Sequence, residues 1–172
     1  MTVRMGDAGD FAAIMPMMRA YRALHEGWDA PLYGLRPDAD ARFRRWLGPA
    51  VEDPRAMLVV GEEGGAIVGF LTAVVETDLP IYRCDEYAVV VAMWVEPASR
   101  RRGVATAMLD LAAREYAAIG IRQLRVRTAV ANTAGRATLE QAGFRAATVD
   151  LLRELKPRGG RARSADQRRR SE

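Results

Sequence analysis

The stretch "AVVVAMWVEPASRRRGVATAM", Ala88 to Met108, decides how this chain is read. Its first eight residues, Ala88 to Val95, are apolar at every position, the pattern of a strand covered on both faces and placed at the centre of a sheet. Glu96 and Pro97 open a turn, and from about Arg102 the residues favour helix. A buried strand, a tight turn and a helix N-terminus together bring unpaired backbone N–H groups and the positive end of the helix dipole to one spot. Such a spot binds phosphate. Gly103 and Ala105 let an anion approach the backbone, because a larger side chain would stand where the phosphate must go. Arg100, Arg101 and Arg102 surround the spot with positive charge. A duplex-binding surface would instead repeat basic residues along a helix face, whereas this helix carries Asp110 and Glu115 beyond its first turn. The pattern is that of a pocket for a small anion.

Downstream, Ala105, Met108, Leu109, Ala112, Tyr116 and Ile119 form one apolar stripe at helical spacing, and Gly120 stops the helix. The next run, "LRVRTAV", alternates Leu124, Val126 and Thr128 with Arg125 and Arg127, the period of a strand. Strand, crossover helix and strand predict a parallel pair. A last helix, Thr133 to Ala142, ends at Gly143, and Phe144 to Leu155 is expected to supply a closing strand or hairpin.

Upstream, "AMLVVGEEGGAIVGFLTAVVE" reads as a hairpin of Ala56–Val60 and Ala66–Glu76 around a glycine-bearing turn. A short strand near Val3 precedes a helix capped by Asp7 or Asp10, with Phe11, Ile14, Met15 and Met18 at helical spacing. A second helix follows Pro37, carries Phe43, Trp46 and Leu47 on one face, and ends at Gly48 and Pro49. The pattern is α/β with a mixed sheet, in one domain over residues 1–155.

The composition bounds the function. At 172 residues with 49% apolar and 28% charged, the chain is an ordinary globule with one core. No apolar run reaches the ~18 residues of a membrane span, and the N-terminus lacks a signal-peptide pattern, so the expected location is the cytoplasm. Cys84 is the sole cysteine and His25 the sole histidine, which excludes an internal disulfide and a zinc cluster; no metal is expected. The net charge of +4 divides unevenly: residues 156–172 hold seven basic and two acidic residues, leaving the body near −1. That tail has no apolar periodicity and is expected to be a disordered, solvated extension, so the charge does not point to a nucleic-acid-binding body.

At Arg100-Arg101-Arg102-Gly103-Val104-Ala105 the sequence resembles the GCN5-related N-acetyltransferase (GNAT) family, whose motif is Arg or Gln, two residues, Gly, one residue, then Gly or Ala. The preceding "VEP" turn, the apolar strand and the following helix stand where the family has them, and "ANTAGRATLEQAGF", with Asn132, Gly143 and Phe144, is similar to a second family motif. The resemblance spans roughly residues 2–155. It implies a mostly antiparallel twisted sheet whose central parallel pair splays to admit the cofactor, with helices on both faces. It also implies acetyl-CoA as co-substrate, its pyrophosphate on the N–H groups of Arg101 to Thr106 and its pantetheine arm paired with Met93 and Val95. Trp94 and Asn132 are further cofactor candidates; core packing and a helix cap are their structural alternatives. The Met93 N–H is the candidate oxyanion donor.

The implied reaction is direct attack of a primary amine on the thioester within a ternary complex. A lysine-like amine, with a pKa near ~10.4, is mostly protonated at neutral pH, so a group must take its proton. Glu86 is the favoured candidate, ahead of Asp85 and Glu76; a water chain is the other option. Many family members carry a general-acid Tyr seven residues after the Asn, and this chain has Leu139 there. That departure motivates an alternative, an acyl-CoA-binding module with little turnover. The acceptor, a small-molecule or peptide amine, is expected between "HEGWDAPLYGLRP" and "TDLPIYRCDE", where Trp28, Asp29, Tyr33, Tyr82 and Asp85 are candidate walls. His25 is expected to end its helix as a C-terminal cation. A homodimer fits the architecture.

Overall fold

A computed structural model describes residues 1–155; the basic tail lies outside the described residues. Five strands, β1 (Thr2–Met5), β2 (Ala56–Glu63), β3 (Ala66–Thr77), β4 (Glu86–Val95) and β5 (Leu124–Val126), form one sheet in chain order. The first four are antiparallel neighbours, and β4 and β5 run parallel. The helices are α1 (Phe11–Trp28), α2 (Ala30–Tyr33), α3 (Ala39–Leu47), α4 (Val104–Ala118) and α5 (Thr133–Gln141).

Period-two alternation sorts the sheet's side chains into two cores. Met57 and Val59 of β2 and Leu71 and Ala73 of β3 pack with Met108, Leu109, Ala112 and Tyr116 of α4. Leu58 and Val60 of β2 and Phe70 of β3 point the other way, onto Ile14, Met17 and Met18 of α1 and Leu47 of α3. Helices therefore cover both faces. Arg4 of β1 ties α1 down, donating two hydrogen bonds of 2.8 Å to the buried Asp10 at the helix entrance. The α4 stripe is as the sequence predicts except at its end, where Ile119 is exposed and Ile121 takes the buried place.

The approach of α4 depends on Gly61 of β2. A Cβ there would meet Val104 Cγ1 at 2.7 Å. We expect Gly61→Val to push α4 away and cost about 1–3 kcal/mol, read as a lower urea midpoint with unchanged m-value; an unaltered midpoint would contradict this contact.

Two sequence expectations fail. No strand follows β5 among the described residues: 142–155 hold no regular structure, and Val149, Leu151, Leu152 and Leu155 are exposed. A strand is held by a partner's ladder, and β5 offers only three residues, Leu124–Val126, where Leu124 to Val130 was expected. In consequence β4 is the penultimate strand rather than the central one.

Candidate functional site

The site is made by two breaks in regular pairing at the same point of β4. Toward β5 the parallel register runs Ala88–Leu124, Val89–Arg125 and Val90–Val126, and stops. Toward β3 the register jumps from Val90–Ala73 to Ala92–Thr72, leaving Val91 as a bulged residue without a partner. The bulge reverses the direction in which backbone groups point. Before it, the Ala88 N–H donates to Gln123 O on the β5 side at 2.9 Å. After it, the Glu96 N–H donates to Val68 O on β3 at 2.8 Å. By two-residue alternation the amides of Ala92 and Trp94 face β3, and those of Met93 and Val95 face the side that β5 has left. The Val95 carbonyl is turned that way too, and accepts a hydrogen bond of 2.9 Å from Arg100 Nε.

A cavity of about 600 Å³ occupies the gap. One end is the loop and first turn of α4, with Arg100, Arg101, Gly103, Val104, Ala105 and Thr106 in its wall. The cap of α4 is Gly103, at φ 84°, which brings no side-chain acceptor, so the first-turn amides are free of intrahelical partners. A Cβ built at Gly103 would meet nothing within 4 Å. Arg101 is held at φ 60°, a left-handed conformation that non-glycine residues rarely take and that clusters at functional sites. This end can hold an anion the size of a phosphate or diphosphate, with open space in front of the amides.

The arginines divide the work. Arg100 lies over the Trp94 ring at 4.6 Å and, through its bond to Val95 O, clamps the loop to the end of β4. Arg101 lines the cavity. Arg102 does not: its guanidinium turns to Glu63, 3.0 Å away, which also accepts from Ser99 Oγ at 2.8 Å and so anchors the loop to β2.

Trp94 reaches the cavity wall while packing into the α1 core, and its buried Nε1 has no protein partner. Asn132 also lines the cavity, yet both ends of its amide are engaged: Oδ1 accepts from Gly135 N at 3.0 Å, capping α5, and Nδ2 donates to Thr128 Oγ1 at 2.9 Å. Leu139 is buried in the same wall. Glu86 is not brought to the site. It stands at the opposite end of β4, half exposed, and accepts from Arg55 at 2.5 Å. Glu76 takes the guanidinium of Arg127 at 2.7 Å, and neither Asp85 nor Tyr82 lines the cavity.

The far end of the cavity is aromatic. Tyr21, Leu24, His25 and Trp28, one face of α1, close it opposite Val91 and Met93. His25 stands in the last turn of α1, as expected, but is buried there, because three rings enclose it: centroids lie 4.0 Å away at Tyr21, 4.8 Å at Trp28 and 5.0 Å at Tyr33. Burial pushes the Tyr21 hydroxyl up to about 12, and this neutral group donates to the bulged Val91 carbonyl at 3.4 Å. Tyr21 and His25 line the cavity, which the sequence reading missed; the available signal was the aromatic spacing around His25, at four before and three after, which places all three rings on one helix face.

The acetyltransferase (GNAT) family profile matches residues 19–144, nearly three quarters of the chain, and the chain belongs to that family of acyltransferases. Among solved structures, the apo aminoglycoside antibiotic 6'-N-acetyltransferase from Acinetobacter haemolyticus superposes with a TM-score of 0.71 at 15% identity, covering 91% of this chain and 99% of that one. A predicted acetyltransferase from Clostridium acetobutylicum, solved with acetyl-CoA, gives 0.69 at 21% identity, with 90% and 95% covered. A further aminoglycoside acetyltransferase, solved with a bisubstrate analogue joining CoA to acetylneamine, gives 0.71 at 16% identity, with 90% and 97% covered. No curated protein matches the sequence. No helix among the described residues is long and apolar enough to cross a membrane.

Proposed function

We propose that this chain transfers an acetyl group from acetyl-CoA, bound as co-substrate, to a primary amine held with it in a ternary complex. The observation that carries the reading is the single cavity joining the amides at the start of α4 to the aromatic end, through the gap where β4 bulges and parts from β5. In this reading the amides of Arg101 to Thr106 receive the diphosphate, with the Arg101 guanidinium beside it. The Met93 and Val95 backbone groups pair with the extended pantetheine arm as a strand edge would. The Met93 N–H, fixed toward the gap, donates to the thioester oxygen as negative charge develops there. Trp94 lines the cavity beside Arg100 and borders the arm there. Asn132 acts by capping α5 rather than by touching the co-substrate. The solved relative carrying a CoA–acetylneamine bisubstrate analogue supports simultaneous occupation of two subsites in this fold.

Calorimetry with CoA, run beside a thiol-release assay with acetyl-CoA and a panel of primary amines, tests the reading. We expect CoA binding and amine-dependent release. Binding without release for any amine would favour a non-catalytic acyl-CoA-binding module.

A further inference from the structure

We propose that His25 is the proton acceptor of the transfer, and that the amine it serves is a monoamine carried on an apolar or aromatic body. The inference rests on the acetyltransferase reading and assigns the acceptor end of the same cavity.

The first half follows from what lines the cavity. Among the described residues its titratable side chains are Tyr21, His25, Arg100, Arg101 and Arg127, and no carboxylate is present. A guanidinium keeps its proton at any working pH. Tyr21 holds its own and donates it to Val91 O. His25 remains. Its Nδ1 stands 2.9 Å from Tyr21 O, and because a carbonyl only accepts, Nδ1 carries the hydrogen. In the neutral imidazole the lone pair is therefore on Nε2. The same bond and the rings of Tyr21, Trp28 and Tyr33 fix the imidazole's position.

The step balances without further reagents. The substrate ammonium gives one proton to Nε2, and the freed nitrogen lone pair attacks the thioester carbon. The C–N bond forms, the C–S bond breaks, and sulfur leaves with the electron pair. The thiolate takes the second nitrogen proton, directly or through water, and His25 returns its own to solvent.

The second half follows from charge. Leu24, Trp28 and Val91 offer an apolar wall, while the charged groups lining the cavity are all guanidiniums. A polyamine or aminoglycoside would bring further ammonium groups to a cavity with no carboxylate for them, whereas a monoamine becomes neutral once Nε2 has its proton.

The test uses the untagged full chain, in which His25 is the sole imidazole. Nitrogen-15 NMR of that ring should show the Nδ1–H tautomer and a shifted Nε2 resonance on adding 2-phenylethylamine alone. An Nε2–H tautomer overturns the proposal independently of any turnover. In the thiol-release assay 2-phenylethylamine should exceed spermidine and neamine in kcat/KM by at least about tenfold. His25→Asn keeps an amide donor near the Nδ1 position and removes the base; it should lower kcat by about 100-fold or more at neutral pH, with the KM for acetyl-CoA nearly unchanged. The deficit should narrow as the pH approaches the amine's own pKa, near ~10.4 for a lysine-like amine, a recovery that a structural role would not give. His25→Gln, checked by circular dichroism, serves as the second variant. Wild-type turnover with unaltered kcat in both variants, or a preference for spermidine, overturns this proposal and leaves the acetyltransferase reading standing. No thiol release by the wild-type chain with any of the three amines counts against both.

Discussion

Replacing Gly103 by phenylalanine leaves a folded chain that no longer holds CoA. The backbone at Gly103 is left-handed, φ 84°, so any side chain there carries a strain of about 1–2 kcal/mol. That cost is bearable for a single domain, and Arg101 already takes a similar conformation two residues earlier. The new ring meets no protein atom close to its Cβ, so it does not disturb the core. It does fill the space in front of the α4 amides. Two charge-assisted hydrogen bonds lost to a diphosphate, at about 1.5–3 kcal/mol each, correspond to an affinity loss of at least ~100-fold. Calorimetry with CoA and a thermal melt read the two effects separately. Unchanged CoA affinity in a folded Gly103→Phe chain would contradict the placement of the anion end.

The second large effect separates the two amide directions on β4. Met93→Pro removes an N–H that faces the cavity, so no ladder bond to β3 is lost, and proline is tolerated where a strand's N–H side is unpaired. Ala92→Pro removes an N–H that faces β3 inside the buried sheet. We expect Ala92→Pro to destabilise the fold by about 1–3 kcal/mol or more, since it leaves a buried acceptor unsatisfied. Met93→Pro should remain folded and lose kcat by ~10²–10³ relative to Met93→Ala, which deletes the side chain and keeps the donor. If the two prolines destabilise alike, the reversal at the Val91 bulge is wrong; if Met93→Pro keeps the activity of Met93→Ala, its amide is not the oxyanion donor.

The parts of the site legible in the sequence are those that concentrate several local signals in a few residues. An unbroken apolar strand, a Pro turn, arginines, Gly103 and a clean helical stripe each constrain the backbone of Ala88 to Met108, and together they gave the parallel pair and the anion end. The bulge was not legible. Val91 sits in a row of like residues, Val89 to Ala92, and a bulge there changes pairing without changing composition. The central position expected for β4 fails for a related reason: an all-apolar run reports burial on both faces, and a penultimate strand with a core on each side is buried just as well.

His25 and Glu86 depart from expectation in opposite directions, His25 being buried in the cavity wall and Glu86 lying outside it. Near a helix end or a strand start the default is solvent. Glu86 obeys it, paired with Arg55 outside the cavity. His25 does not, because Tyr21 and Trp28 share its helix face and Tyr33 folds back on it from α2.

A crystal structure of the full chain with CoA tests the central claim most directly. The account predicts diphosphate oxygens within about 2.7–3.2 Å of the backbone nitrogens between Arg101 and Thr106, and the pantetheine arm alongside Met93 and Val95, ending opposite His25. CoA bound elsewhere, with the α4 amides still facing open space, would contradict it.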